Sequence, residues 1–232
     1  MDRKIIIALD EIQNIEDVLA LVRKIGNKVY AVKVHNLYDR IGPKLIGILK
    51  EAGAERVWVD AKLYDIPNTA ELRAKDITGD IVTVHATGGI KMMQDALKSE
   101  KEIFAVTVLT SFKPEEVKRI YNRDVLEQVL ILAMMAKEAG VKNLVCSAHE
   151  VKMLSTHPDL ADMRFIVPGI RSVGVDVNDQ NRVSTPAEAI KNGATKLVIG
   201  RQITQVPDPV AALDAIEAEI KEELELQNQS RH

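Results

Sequence analysis

The 232-residue sequence predicts an α/β fold, a single-domain (β/α)8 TIM barrel spanning 1–232. Three observations support this expectation. Eight short, β-branched apolar runs recur along the chain. Amphipathic or loop-like runs separate them, at about 28 residues per unit, as in a repeating βα fold. No Pro/Ser-rich linker or low-complexity stretch divides the chain. A doubly wound open sheet is the second choice, but it lacks its usual marker, because no G-x-G-x-x-G follows the first strand.

The strands are read at 4–9 (KIIIAL), 29–34 (VYAVKV), 56–61 (RVWVDA) and 80–85 (DIVTVH). They continue at 103–109 (IFAVTVL), 143–147 (NLVCS), 164–169 (RFIVPG) and 196–200 (KLVIG). Most are apolar on both faces, which suits parallel strands buried on both sides. Asn14 reads as the N-cap of IEDVLALVRKIG, which stops at Gly26. GPKLIGILKEAG stops at Gly53 and DVLEQVLILAMMAKEAG at Gly140. All three glycines fall just past the last apolar position and are expected to be C′ stops. Met134 and Met135 read as core filler, and the acidic end of the last helix, DPVAALDAIEAEIKEELELQ, as a solvated face.

Composition narrows the function. A net charge of −3 argues against a nucleic-acid partner, which calls for a basic footprint. Cys146 is the only cysteine, so a reducing compartment is expected, with the thiol a small buried strand residue rather than a nucleophile. The N-terminal apolar run, IIIAL, is too short for a signal-peptide core. No run approaches the roughly 18 residues of a membrane span. A cytoplasmic protein with no membrane partner is expected.

In a TIM barrel the active site lies at the C-terminal ends of the strands. Polar residues gather there: Asp10, Lys33 with His35, Asp60 with Lys62, His85, Thr110 with Ser111, Ser147 with His149, Arg171 and Gly200-Arg201. The strand starts offer only lysines and arginines able to reach solvent. Asp60 and Lys62 are two apart and so should share one face of the third strand. Lys33 on the neighbouring strand can join them, and Asp65 follows in the loop. Buried charges are costly unless paired. A chain of alternating Lys and Asp could keep all four ionised, either as a reacting site or as a structural ion network. Gly200-Arg201 after the eighth strand suits a phosphate, which Arg can hold by paired hydrogen bonds. The unpatterned stretch 168–184 brings Arg171, Gln180 and Arg182 and reads either as a cover for that phosphate or as a disordered loop.

The segment DAKLYDIPNT resembles the D-x-K-x-x-D-I-P-N-T signature of the orotidine 5′-phosphate decarboxylase family. VHATGG, AVTVLTS, VCSAHE, VPGIR, DQNRVSTPAEAI and VIGRQIT fall in that family's order. The resemblance implies decarboxylation of a nucleotide to UMP in pyrimidine biosynthesis, with no cofactor and no metal. Asp10, Lys33, Asp60 and Lys62 would line the reacting end, with Lys33 and Asp65 holding Lys62 charged. Asp65 and Thr69 would reach the partner's site, implying a homodimer with shared active sites. Thr110 would contact the pyrimidine, and Arg171, Gln180, Gly200 and Arg201 would bind or cover the phosphate. Three positions depart from the commoner pattern: Ala61, where a larger apolar residue is frequent; His35, often glycine; and Ser172, often proline. Two other readings stand beside this one. A metal-dependent sugar-phosphate decarboxylase or aldolase of the same barrel group needs an acidic ligand set, which Lys33 disfavours. A catalytically silent nucleotide-phosphate binder has no use for Lys62.

Overall fold

A computed structural model describes residues 3–172 and 184–229. Its eight strands are β1 (Ile5–Ala8), β2 (Ala31–Val34), β3 (Val57–Leu63), β4 (Ile81–His85), β5 (Glu102–Val106), β6 (Asn143–Val145), β7 (Arg164–Val167) and β8 (Lys196–Ile199). They form a closed parallel barrel in chain order, with β8 paired back onto β1 through Ile6 and Val198. Every predicted strand is present, most of them shorter at their C-terminal ends. Those ends bend into the loops that carry the site. β3 alone runs on past its predicted end.

Helices α1 (Ile15–Ile25), α2 (Asn36–Ile41), α3 (Lys44–Glu51), α4 (Pro67–Asp76), α5 (Ile90–Leu97), α6 (Pro114–Tyr121), α7 (Val125–Ala139), α8 (Ala148–Thr156), α9 (Pro186–Lys191), α10 (Arg201–Thr204) and α11 (Pro209–Gln229) surround the barrel. Asn14 caps α1 as expected, accepting from the Glu16 N–H at 3.1 Å. The glycine stops divide. Gly53 and Gly140 hold φ of 111° and 91°, the left-handed region where a side chain is strained. Gly26 ends α1 as expected, but with φ −58°, outside the left-handed region. What demands glycine there is space, since a Cβ would lie 2.6 Å from the Val22 carbonyl oxygen.

Strand alternation divides the core in two. Ile5, Ile7, Val32, Val57, Val59 and Val82 face the helices. Ile6, Ala31, Trp58, Ile81 and Phe104 face inward and fill the barrel, with Trp58 and Phe104 edge to face at 4.9 Å. One step further along three of these strands, on the same inward face, come Lys33, Asp60 and Thr83. The period of two thus places polar side chains directly above an apolar floor.

The opposite end corrects one expectation. The strand starts do carry a polar set: Glu102 accepts from Tyr30 Oη at 2.8 Å and pairs with Arg56 at 2.5 Å and Arg164 at 3.8 Å. Lys196 sits 4.2 Å over the Tyr30 ring and donates to the Arg3 carbonyl. Burial, reinforced by the Glu102 hydrogen bond, pushes the Tyr30 hydroxyl up to about 12. This cluster plugs the barrel bottom. Sequence alone could not pair residues so far apart in the chain.

Candidate active site

A cavity of about 270 Å³ opens at the C-terminal rim. Asp10, Lys33, Asp60, Lys62, Thr110, Arg171, Gly200 and Arg201 are among the residues that line it, with apolar side chains such as Trp58, Val106 and Val198. Eight of the expected site residues therefore meet in one pocket. Asp65 and Thr69 do not line it: Asp65 is exposed in the loop after β3, and Thr69 is half-buried on α4. Gln180 and Arg182 lie outside the described residues.

The charged floor is an alternating chain. Asp10 pairs with Lys33; Lys33 Nζ lies 3.4 Å from Asp60 Oδ2, and Lys62 Nζ lies 2.6 Å from the same oxygen. Thr83 Oγ1 donates to the other Asp60 oxygen at 2.8 Å and accepts from Trp58 Nε1 at 2.7 Å. Burial pushes the Asp60 carboxyl up. The Lys33 and Lys62 cations, with the Lys62 and Thr83 hydrogen bonds, outweigh it and hold Asp60 below the usual carboxylate range. Asp10 Oδ1 is buried and has no hydrogen-bond partner among the described residues, which leaves it for a donor on a ligand.

Strand alternation does not carry Lys62 into this chain as expected. The β3–β4 register shifts between Val59 and Leu63, and Lys62 itself has φ 46°, left-handed for a residue with a long side chain. Such a conformation costs about 1–3 kcal/mol and persists only where the surroundings hold it. Here the Asp60 ion pair and the His35 ring, whose Nδ1 lies 2.7 Å from the Asp60 carbonyl oxygen, hold it. Asp65 makes no ion pair with Lys62 in this chain; its Oδ1 accepts from the Ile66 N–H at 2.8 Å.

Other rim residues do different work. Ser147 opens α8, its N–H donating to Glu150 at 2.8 Å. Cys146 is buried, and its thiol is pushed well above the usual range by burial and secondarily by Glu150, so it packs rather than attacks. His85 is held below its ordinary value by burial first and by the nearby Lys62 cation second. Sequence reasoning missed Trp58 and Thr83, which support Asp60 from below. The signal was present, since each lies two residues before a residue already singled out, Asp60 and His85, on the same strand face. It also missed Glu11, which faces Arg201 Nε at 3.4 Å.

A closed barrel with a Lys/Asp chain on one side of its mouth and two arginines on another has the form of a barrel enzyme acting on a small anionic substrate. The model of the Orotidine 5′-phosphate decarboxylase / HUMPS family matches residues 3–216, and the chain belongs to that family. It is 40% identical over 233 residues to the Orotidine 5′-phosphate decarboxylase of Actinobacillus pleuropneumoniae serotype 5b, covering 95% of this chain and 100% of that protein. It is 39% identical over 226 residues to that of Streptococcus pneumoniae serotype 19F, covering 92% and 95%. The crystal structure of the Lactobacillus acidophilus Orotidine 5′-phosphate decarboxylase is similar at a TM-score of 0.80 and 34% identity, covering 94% of this chain and 99% of that one.

Proposed function

We propose that this chain, working as one unit over 1–232, converts orotidine 5′-phosphate to UMP and CO2. The observation that carries the mechanism is Lys62 Nζ standing at the pocket, 2.6 Å from a buried, ionised Asp60. Loss of CO2 from C6 of the pyrimidine leaves a pair of electrons on a carbon that cannot spread them well. A fixed ammonium facing that carbon stabilises the charge as it develops. Lys62 then gives C6 the proton that replaces CO2. Asp60 lies beside the departing carboxylate, and Lys33 on its far side keeps Asp60 ionised. Asp10 Oδ1 accepts from a substrate hydroxyl, and Thr110 faces the pyrimidine. Arg171 and Arg201 hold the phosphate with Gly200, and Gln180 covers it.

No metal or organic cofactor takes part in this reading. Lys33 occupies the space between Asp10 and Asp60 where a cation shared by the two carboxylates would have to sit. The described residues also contain no group of three His, Cys, Asp or Glu placed to hold a metal ion.

The active unit is a homodimer with shared sites. Support comes from the loop after β3. Asp65 and Thr69 lie outside their own chain's pocket, and the flanking Tyr64 and Ile66 are 63% and 66% exposed. Exposed apolar side chains beside a charged residue suit a covered surface. In the dimer Asp65 would meet the partner's reacting end and help to hold Lys62 there. No helix among the described residues is long and apolar enough to cross a membrane. With that and the single buried cysteine, we place the enzyme in the cytoplasm.

The test is decarboxylation of orotidine 5′-phosphate in the presence of EDTA. Full activity is expected. Activity that EDTA abolishes and a divalent cation restores would turn the reading toward the metal-dependent branch, and binding without turnover toward a silent binder.

A further inference from the structure

Just behind the two arginines, and outside the pocket lining, lies a closed set of hydrogen bonds. The Ser172 N–H donates to Gln202 Oε1 at 3.0 Å, and Gln202 Nε2 donates back to Ser172 Oγ at 2.7 Å. The Ser172 hydroxyl donates in turn to Glu219 Oε2 at 3.0 Å, and Glu219 Oε1 accepts the Ala187 N–H at 3.1 Å. Two members adjoin a residue the site uses, and the third ties them to the outer helices. Ser172 follows Arg171, Gln202 follows Arg201, and Glu219 lies on α11, which packs along α9. The segment before Ser172 is tied as well: the Arg171 N–H donates to the Ser184 carbonyl at 3.0 Å.

The chemistry is specific. The reciprocal Ser–Gln pair needs a backbone N–H and a hydroxyl at 172, and proline has neither. Residue 172 is the position where the family resemblance expects proline. Its departure is therefore matched by a partner, Gln202, able to use both groups. A side-chain amide with both its oxygen and its nitrogen engaged is fixed in rotation, and so is the short helix that bears it.

We infer that Ser172, Gln202 and Glu219 are positioning residues that set Arg171 and Arg201 relative to each other for the substrate's phosphate. This deepens the proposed function and rests on it. None of the three touches substrate; they act through the segments carrying the arginines. A cluster that only stabilised the fold would affect all ligands alike. One that positions the arginines affects only ligands with the phosphate.

The test compares ligand pairs that differ in the phosphate alone, in wild type and Gln202→Leu, which keeps bulk and removes both hydrogen bonds. Affinity for UMP is expected to fall at least fivefold and that for uridine to change less than twofold. The kcat/KM on orotidine 5′-phosphate should fall at least fivefold, with that on orotidine nearly unchanged. Equal losses on both members of a pair, or no loss on either, would overturn the inference. Should Gln202→Leu fail to fold, Ser172→Ala, which removes only the hydroxyl, is read by the same measurements. A wild type that neither binds UMP nor decarboxylates orotidine 5′-phosphate overturns the proposed function itself, a result visible before any variant is made.

Discussion

The ring of His35 is exposed, yet its Nδ1 lies 2.7 Å from the main-chain oxygen of Asp60, whose side chain is buried between two lysines. The β2–β3 ladder ends with Val34 opposite Val59, and the β3–β4 register breaks just beyond. The His35 N–H therefore ties down the main-chain carbonyl two residues before the left-handed Lys62. A net hydrogen bond contributes about 1 kcal/mol, or roughly fivefold in rate if it holds reacting geometry. We expect His35→Phe to lower kcat about that much with little change in KM. His35→Asn, whose amide can donate from nearly the same place, should remain near wild type. Equal kcat for the Phe variant and wild type would show that the bond has no part in placing Lys62.

Lys62→Ala should leave a folded protein with turnover at least a hundredfold lower. One preorganised group facing developing charge is worth about 2.7–4 kcal/mol. The check is kcat on orotidine 5′-phosphate beside a melting curve; turnover within tenfold of wild type removes Lys62 from the reaction.

His85 reports on the same cation. Its imidazole is depressed by burial first and by Lys62 second, so it should titrate below the ordinary 6.5 and rise in Lys62→Ala, as followed by NMR. The sign for stability follows from the lowered value. Above about 6.5 both folded and unfolded states are neutral. As pH falls below that, the unfolded state takes the proton first, so stability is lost. His85→Gln should therefore show a smaller drop in Tm from pH 7.5 to 5.5 than wild type. An equal drop would mean that the ring is solvated and far from Lys62.

Shared sites can be tested by mixing. Lys62→Ala and Asp65→Ala proteins, each inactive alone, should regain part of the activity when their subunits exchange, since a mixed dimer holds one site with both residues intact. Exchange demonstrated by labelled subunits without any return of activity rules out a contribution of Asp65 across the interface.

Arg201→Ala should mainly reduce kcat/KM on the phosphorylated substrate, because it removes a charge-assisted contact. Free phosphite should activate wild type on orotidine far more than it activates the variant. Equal activation would leave Arg201 as a rim charge held by Glu11.

The barrel was readable from the chain because its cause is local. Apolar runs such as IIIAL and VWV bury wherever they are placed, and their alternation with helices admits few arrangements. The rim rule then led to Asp10, Lys33, Asp60 and Arg201. DAKLYDIPNT led further, to the family, which the comparisons bear out. Sequence also marked His35 and Ser172 as unusual, without showing why.

Tertiary structure decided the rest, because the causes lie in residues far apart along the chain. The left-handed Lys62 exists only where β3 slips against β4 and His35 meets the Asp60 carbonyl from another strand's end. Gly26 serves close packing against Val22 rather than a left-handed stop. The Tyr30–Glu102–Arg56 plug and the Ser172–Gln202–Glu219 set join residues separated by 26 to 72 positions. Periodicity along one segment carries no record of such pairs. They arise when closing the barrel removes water from polar groups that must then find one another.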